Sequence, residues 1–353
     1  MTLEGPVLVV GAGLLGTSIA LALRRRDVDV AMRDLNEENL RIASGLGAVN
    51  VDDVHPQLVV VAVPPDSLGA EIGRALSITD AVVTDVGSIK GEPLDEARAI
   101  VGDDVVRRYV GSHPMAGSER SGPLAASEAL FDGRPWAVTP HEGADPDSVS
   151  LVTELARLCG ATPVVFTPEE HDQAVARTSH LPHLLAALVA GRLTDAPREH
   201  LALSGQGIRD VTRIAAGDPR LWEQILGGNA TAVTALLRDV RGELDLLLSA
   251  LDGNDRTPVG ALLERGVQGT AMIPGKHGAP TGATATVFVA IPDHPGELAR
   301  LFADASEIGV NIEDLRIDHD PAREFGLVEI TVAADAADHL RGSLEDRRWT
   351  AHR

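Results

Sequence analysis

The feature that most constrains the fold of this chain is a glycine-rich turn, GAGLLG, that lies between two kinds of hydrophobic pattern. The apolar run Val7–Val10 before it predicts a buried strand, and the amphipathic stretch Leu14–Arg25 after it predicts a helix. A G-x-G-x-x-G spacing in that context is typical of a dinucleotide site, because glycines allow the tight turn, the approach of a pyrophosphate and close helix–strand packing. The predicted cofactor-binding residues of the turn are Gly11, Gly13, Leu14, Leu15 and Gly16.

An acidic residue, Asp34, follows the second predicted strand. A carboxylate at that place can accept hydrogen bonds from the ribose 2′-hydroxyl and repels a 2′-phosphate, so the predicted cofactor is NAD. Arg33 could instead bind a phosphate, and Asp34 could be a plain helix-capping residue.

The chain alternates short Val-rich runs with amphipathic stretches over residues 1–167, which predicts a Rossmann-type α/β domain with a doubly wound sheet. Later strands are predicted at Arg108–Val110, Trp136–Thr139 and Thr162–Phe166. Residues 168–267 lack strand signals and predict an all-helical domain, including a helix over Leu221–Leu236. A Gly- and Pro-rich linker is predicted at 268–282, and residues 283–353 predict a small α+β unit of βαββαβ order.

Composition narrows the classes of function. The 353-residue chain has a formal net charge of −21, which disfavours nucleic acid and anionic membranes as partners. The single cysteine, Cys159, rules out an internal disulfide and predicts a small buried hydrophobe. The sequence starts directly with a strand pattern and has no tripartite signal, so we expect a cytoplasmic protein.

Two loops carry candidate chemistry. The segment DVGSIK, from Asp85 to Lys90, follows a predicted parallel strand, and the carboxyl ends of such strands bind ligands. On chemistry alone Ser88 is as good a helix N-cap as a site residue. The segment GSHPMAGSERSG, Gly111–Gly122, places a titratable His113 in a loop that is expected to have little local structure; such a histidine can accept a proton during hydride transfer.

A third segment, EHDQAVARTSHLPH, has three histidines within the helical domain, and they are His171, His180 and His183. Histidines at this density invite a metal interpretation, but no carboxylate or cysteine cluster joins them, so we expect no metal.

Together GAGLLG, DVGSIK, GSHPMAGSE, SHLPH and RDVTRI resemble the motifs of prephenate dehydrogenases, oxidoreductases of tyrosine biosynthesis. The resemblance implies NAD-dependent oxidative decarboxylation of prephenate to 4-hydroxyphenylpyruvate by a homodimer that dimerises through its helical domain.

The resemblance also implies roles for single residues. It implies that His113 is the catalytic base, with Ser88 beside it, and that Arg213 binds a substrate carboxylate, whereas Arg209 is expected to be solvated. The remaining substrate-pocket residues that it implies are His183, Ser118, Glu119, Asp210 and Trp222. His171 and His180 are expected to be structural or to support the pocket from outside it.

The C-terminal segments IPDHPGELARLF and GVNIEDLRI resemble the ACT domain, a βαββαβ module that binds amino acids. The resemblance implies an aromatic amino acid effector, with a unit used only for assembly as the alternative. The candidate regulatory residues are Asp293, Pro295, Gly296 and Asn311.

Three other functions stay open at this point. Arogenate dehydrogenase differs only in the side chain of its substrate. A β-hydroxyacid dehydrogenase would need a catalytic lysine in the helical domain, and residues 168–250 contain none. A non-catalytic amino-acid sensor would not need Ser88, His113 and Arg213 together.

Overall fold

The computed structural model describes residues 2–52, 55–116, 121–273, 283–318 and 325–353. The chain divides into two units, Met1–Leu244 and Asp245–Arg353, and the division falls inside one long helix. Each unit has its own hydrophobic core: two apolar clusters pack around the sheets of the first unit, and one packs in the sheet of the second.

The first unit begins with alternating strands and helices, as the Val-rich runs predict. The strands are β1 Val7–Val10, β2 Val30–Arg33, β3 Leu58–Val61, β4 Val82–Asp85, β5 Gly111–Pro114, β6 Pro135–Thr139 and β7 Thr162–Val165. The helices among them are α1 Leu14–Arg24, α2 Glu37–Gly45, α3 Pro65–Ile78, α4 Gly91–Val101, α5 Asp103–Val106 and α6 Pro146–Leu158.

Four of these strands form a parallel sheet in the order β2-β1-β3-β4. A second sheet has the order β5-β6-β7, and a parallel bridge between Val83 and Tyr109 joins the two. The carboxyl ends of β1 and β4 carry the glycine-rich turn and the DVGSIK segment, so the sheet brings two of the predicted motifs to one edge. The Rossmann-type fold is therefore confirmed.

The structure corrects the prediction for the GSHPMAGSERSG segment and the residues just before it. Arg108–Val110 is not a strand; the strand begins at Gly111 and runs antiparallel to β6, with His113 opposite Ala137. The loop composition hid this strand, because its hydrogen bonds come from a distant partner rather than from local propensity. Gly111 is required in β5, since a Cβ there would lie 2.6 Å from the Thr139 hydroxyl oxygen.

The helical part of the chain starts with a capping box, in which Thr167 and Glu170 bond reciprocally at the start of α7. The helices are α7 Pro168–Val175, α8 Leu181–Gly191, α9 Arg198–Leu201, α10 Gln206–Arg213, α11 Pro219–Gly228, α12 Ala230–Asp252 and α13 Arg256–Ala271. The predicted helix over Leu221–Leu236 is wrong in one respect, because α11 ends and α12 begins at Asn229, a buried side chain that bonds to another helix. Helix α13 extends into the first residues of the predicted linker, and 274–282 lie outside the described residues.

The C-terminal residues fold as βαββαβ, in the predicted element order. The elements are β8 Thr284–Pro292, α14 Glu297–Ile308, β9 Asp314–Asp318, β10 Phe325–Ala333, α15 Ala337–Asp346 and β11 Thr350–His352. The four strands form an antiparallel sheet in the order β11-β8-β10-β9. Alternate residues of β8 and β10 are buried, as expected for a sheet with helices on one face.

Within the described ranges, no helix has the length and apolar character needed to cross a membrane.

Candidate functional site

The glycine-rich turn has the backbone that a dinucleotide needs. Gly11 has φ +108°, and a Cβ at Gly11 would overlap the carbonyl oxygen of Ala62. A Cβ at Gly16 would overlap the carbonyl oxygen of Gly11, whereas Gly13 faces open space. Gly11 therefore allows the turn to approach the backbone that follows β3, and Gly16 allows α1 to pack on the turn. Gly13, with Leu14 and Leu15 at the start of α1, leaves room for a phosphate at the helix N-terminus.

Asp34 lies against this turn. Its carboxylate accepts a hydrogen bond from the backbone N–H of Ala12 at 2.5 Å and another from Asn36 at 2.6 Å. Asn36, not Asp34, is the N-cap of α2, so the helix-capping interpretation of Asp34 is wrong. The turn and the acidic residue are joined by a direct bond, which fits the ribose-binding role expected for an NAD site.

The DVGSIK segment builds a buried ion pair beside the predicted site. Asp85 and Lys90 have side chains that are 0% and 1% exposed, and Lys90 Nζ donates to Asp85 Oδ2. Lys90 Nζ also donates to the backbone oxygen of Ser112 at 2.7 Å, directly before His113. The hydroxyl of Tyr109 donates to the other Asp85 oxygen at 2.9 Å, and burial raises the pKa of this phenol well above its usual range.

Ser88 lies in the middle of this segment and is partly exposed. Helix α4 has Lys90 as its N-cap and no side-chain cap bond, so Ser88 does not cap it. Its hydroxyl therefore remains a candidate for the reacting site at the strand end.

His113 is partly buried on strand β5, and its Nδ1 lies 3.0 Å from Nε2 of His171. The two rings meet edge to face with centroids 5.2 Å apart. Burial lowers the pKa of His113 well below its usual value, and the neighbouring His171, Lys90 and His180 lower it further. The imidazole is therefore neutral near pH 7, which is the state that can accept a proton.

His171 is in turn bonded to its neighbour, Asp172, with Nδ1 and Oδ1 2.9 Å apart. The same carboxylate accepts hydrogen bonds from the backbone N–H groups of Lys90 at 2.9 Å and Gly91 at 2.8 Å, so it caps helix α4 from a different helix. Asp172 was not identified from the sequence as a functional residue. Its position in the EHDQ motif, directly after a histidine, is the only local signal, and the partner N–H groups are some eighty residues away.

A π-helical turn, Ala176–His180, connects α7 to α8. Pro182 follows it and has no N–H, so it cannot complete a regular α-helical ladder across this point. The buried His180 accepts at Nδ1 a hydrogen bond from Asn229 Nδ2 at 3.2 Å, and Asn229 Nδ2 also donates to the backbone oxygen of Asp172 at 2.7 Å. Such π-turns occur frequently at functional sites.

The ring of His183 stacks on Trp222, with centroids 3.6 Å apart and planes 10° apart. Gly217 lies beside both rings, and a Cβ there would lie 2.5 Å from Trp222 Nε1. Burial lowers the pKa of His183, and a hydrogen bond to the backbone of Ile214 opposes that shift. His180 also meets Trp222 edge to face, which connects this pair to the Asn229–Asp172 contacts.

Arg213 is the last residue of α10 and is exposed, directly before the Ile214 that contacts His183. Arg209 is also exposed, as is Asp210, which accepts a hydrogen bond from Gln206 at 3.0 Å. The structure thus groups Arg213, His183 and Trp222 around the α10–α11 connection. Ser118 and Glu119 lie outside the described residues.

A cavity of about 550 Å³ lies between the starts of α3 and α4 and the length of α11, and none of the predicted site residues lines it. Its charged lining consists of Asp66, Glu92, Glu223 and Arg220. Burial raises the pKa of Glu92, as do the nearby charges of Glu96 and Asp66. A lining of this charge is unsuited to a dicarboxylate substrate.

In the C-terminal unit, Gly296 has φ +97° and is the N-cap of α14. Asp293 and Pro295 are exposed on the turn before it. Asn311 is exposed and donates from Nδ2 to Glu313 at 2.7 Å.

A glycine-rich turn with its acidic partner, and a neutral histidine at the neighbouring strand ends, together define a dinucleotide-dependent oxidoreductase. Two family models match the chain: "Prephenate dehydrogenase, nucleotide-binding domain" over residues 19–176 and "Prephenate dehydrogenase, dimerization domain" over residues 167–264. The Streptomyces niveus protein "Probable prephenate dehydrogenase NovF" is 37% identical, with 98% of each chain covered. The chain belongs to the prephenate dehydrogenase family. It is an NAD-dependent oxidoreductase that catalyses the oxidative decarboxylation of prephenate.

Solved structures agree with this assignment. The prephenate dehydrogenase of A. aeolicus in complex with hydroxyphenyl propionate and NAD⁺ is 28% identical, has a TM-score of 0.68, and covers 77% of this chain and 99% of its own. The Synechocystis arogenate dehydrogenase is 27% identical, has a TM-score of 0.64, and covers 75% of this chain and 98% of its own.

The position of Asp34 predicts a strong preference for NAD over NADP. Substituting Asp34→Asn removes the negative charge that repels a 2′-phosphate while keeping an oxygen for the Ala12 N–H. The expected result is a fall of about tenfold or more in the ratio of kcat/KM for NAD to kcat/KM for NADP, the size of one lost charged hydrogen bond. Steady-state kinetics with both cofactors measures this ratio, with Glu37→Gln on the first turn of α2 as the control. Equal kcat/KM for the two cofactors in the unaltered protein would show that Arg33 governs the choice.

Proposed function

We propose that His113 is the general base of the reaction and that the chain prefers prephenate to arogenate. The observation that carries the first proposal is the position of His113 on strand β5, directly after the Ser112 carbonyl that Lys90 of the DVGSIK segment binds, where burial lowers the pKa of the imidazole. NAD, when bound, accepts the hydride.

The protein residues have the following roles in this proposal. His113 takes the proton from the C4 hydroxyl of prephenate as hydride leaves C4, which gives a carbonyl at that carbon. The C1–carboxylate bond then breaks and CO₂ leaves, and its bonding electrons complete the aromatic ring with the C4 oxygen as a phenolate. This oxygen takes the proton back from His113, which gives 4-hydroxyphenylpyruvate and restores the neutral imidazole. Ser88, partly exposed at the same strand end, supports the alignment of the hydroxyl with His113.

Substrate binding is assigned to the α10–α11 region. Prephenate is a dicarboxylate, and in a chain of net charge −21 its binding requires a fixed local cation. Arg213 is the proposed cation: it ends α10 one residue before Ile214, whose backbone bonds to His183 of the His183–Trp222 stack, and Asp210 lies on the same helix. The loop with Ser118 and Glu119 is assigned to the pocket from the family motif.

Arogenate remains the second candidate substrate, because the Synechocystis relative is an arogenate dehydrogenase. The names of the family models and of the Streptomyces niveus relative support prephenate. The ratio of kcat/KM for prephenate to kcat/KM for arogenate decides between them.

The chain is proposed to work as a homodimer through residues 168–267, the helical domain. The matching family model is named for dimerization. Exposed leucines on α12 and α13, among them Leu246, Leu248 and Leu263, provide an apolar surface of the kind that a subunit interface covers.

Replacing His113 is expected to separate catalysis from binding. For His113→Asn, kcat falls by ~10²–10⁴, the usual contribution of a general base, while the KM for prephenate changes little. In the unaltered enzyme, kcat rises with pH as His113 loses its proton and becomes flat well below pH 6.5, because the pKa is lowered. The check is a kcat–pH profile, with His339→Asn in the C-terminal unit as the control. A variant with normal kcat and an unaltered acid limb would rule His113 out as the base.

Arg213 and Arg209 form a matched pair on one helix. Arg213→Ala is expected to raise the KM for prephenate about ten- to a hundredfold, because a charge-assisted bond to a carboxylate contributes ~1.5–3 kcal/mol. Arg209→Ala is expected to leave KM nearly unchanged, and Arg213→Lys should recover part of the loss. If Arg209→Ala raises KM and Arg213→Ala does not, the carboxylate anchor is Arg209.

The C-terminal βαββαβ unit is proposed to be an ACT domain that binds an aromatic amino acid. The candidate binding turn is exposed and contains Asp293, Pro295 and Gly296, with Asn311 at the start of the segment that leads to β9. Backbone N–H groups of such a turn could hold the carboxylate of an amino acid. None of the proposed catalytic residues lies in this unit, so regulation or assembly is what it can add.

Tyrosine is therefore expected to raise the KM for prephenate by roughly five- to 150-fold, the usual range of allosteric coupling. Asp293→Ala should abolish this inhibition without changing kcat, while Asp335→Ala, an exposed acid elsewhere in the unit, should not. Inhibition that also survives truncation after Ile273 would show that tyrosine competes at the active site. No response to any aromatic amino acid would leave the unit with an assembly role.

A further inference from the structure

We propose that His171 and Asp172 are positioning residues that fix the tautomer of His113 and so keep its Nε2 unprotonated for the substrate hydroxyl. This inference rests on the proposed role of His113 as the base. It assigns a function to a pair of side chains that acts on His113 through hydrogen bonds.

The carboxylate of Asp172 sets the donor and acceptor in both hydrogen bonds of the His113–His171–Asp172 chain. An ionised carboxylate only accepts, so the proton in the 2.9 Å contact belongs to His171 Nδ1. A neutral imidazole has one N–H, and His171 Nε2 must then accept from His113 Nδ1 in the 3.0 Å contact. The single N–H of neutral His113 is thereby used, and its Nε2 carries a free lone pair.

Both rings are neutral near pH 7, as this assignment requires. Burial is the main cause that lowers the pKa of His171 and of His113. The other charged or titratable groups that act on His113 and His171 are Asp85, Lys90, Asp172 and His180. The ammonium of Lys90 is paired with Asp85, and Asp172 is the carboxylate that bonds directly to His171.

Asp172 is held in place on both sides of its carboxylate. Oδ1 accepts from the N–H of Lys90 and Oδ2 from the N–H of Gly91, so the group cannot rotate without breaking the cap of α4. Asn229 holds the backbone oxygen of the same residue. A rigid support of this kind is what a precise catalytic geometry requires.

Lys90 connects the two ends of the His113–His171–Asp172 chain. Its N–H bonds to Asp172 at one end, and its Nζ bonds to the carbonyl oxygen of Ser112, next to His113, at the other. The backbone on either side of the His113–His171 contact is therefore fixed by one residue. When the substrate proton reaches His113 Nε2, the Nδ1–H stays in its bond to His171, and the carboxylate behind His171 stabilises the positive charge.

Two substitutions of His171 separate tautomer control from simple packing. The amide of His171→Gln can reach the position of Nε2 and accept from His113, whereas the shorter amide of His171→Asn reaches only towards Asp172. We expect kcat to fall about 10- to 100-fold in His171→Asn, the cost of one lost buried hydrogen bond, with much of that loss recovered in His171→Gln. In both variants the acid limb of the kcat–pH profile moves to higher pH, because the second imidazole no longer lowers the pKa of His113.

Asn229→Ala is the matched structural control. It removes bonds to the backbone of Asp172 and to His180 but leaves the three side chains of the His113–His171–Asp172 chain in place. This variant is expected to melt at a lower temperature with an unshifted acid limb. Equal kcat in His171→Asn and His171→Gln, together with an unshifted limb, would overturn the proposal. If His171→Asn does not fold, the limb of His171→Gln alone decides.

The same measurements distinguish a failure of the tautomer proposal from a failure of the proposed role of His113 as the base. His113→Asn tests the base itself: a fully active His113→Asn enzyme refutes the proposed function, and the tautomer proposal with it. A large loss in His113→Asn combined with normal kinetics in both His171 variants refutes the tautomer proposal alone.

Discussion

The buried ion pair between Asp85 and Lys90 is the interaction on which the rest of the site depends. Its desolvation is costly, and removing one partner of such a pair typically costs about 3–5 kcal/mol because the other charge is left uncompensated. Here the pair is surrounded by further bonds from Gly87, Tyr109 and Ser112. The pair therefore fixes the end of β4, the start of α4 and the strand that carries His113, three elements within residues 82–114.

Local signals in the sequence were sufficient for the nucleotide site. The glycine-rich turn is encoded within six consecutive residues, and its neighbours have clear periodicity, so β1, α1 and the position of Asp34 against the turn could be predicted from the sequence. The order of elements in the C-terminal unit was predictable for the same reason, since alternate residues of β8 and β10 face one core. In each case the determining contacts are close in sequence or repeat with the period of a strand.

The hydrogen-bonded series His113–His171–Asp172 could not be predicted in the same way. His113 was recognised from its motif, but its strand depends on pairing with β6, and its partner His171 comes from a helix 58 residues later. Asp172 was missed because a helix cap is normally sought just before the helix it serves, and here the cap is supplied by another helix. The break at Asn229 has a similar cause, since its buried amide bonds to α7 and not to its own helix.

The cap that Asp172 provides also has a consequence for local opening. The first N–H groups of a helix ordinarily exchange rapidly with solvent, because they have no partner within the helix. The N–H groups of Lys90 and Gly91 are bonded to the carboxylate of Asp172 on α7, so their protons exchange when this contact between α4 and α7 opens. Their exchange rate therefore reports how often the α4–α7 contact behind His171 opens, at a helix start where amides usually carry no such information.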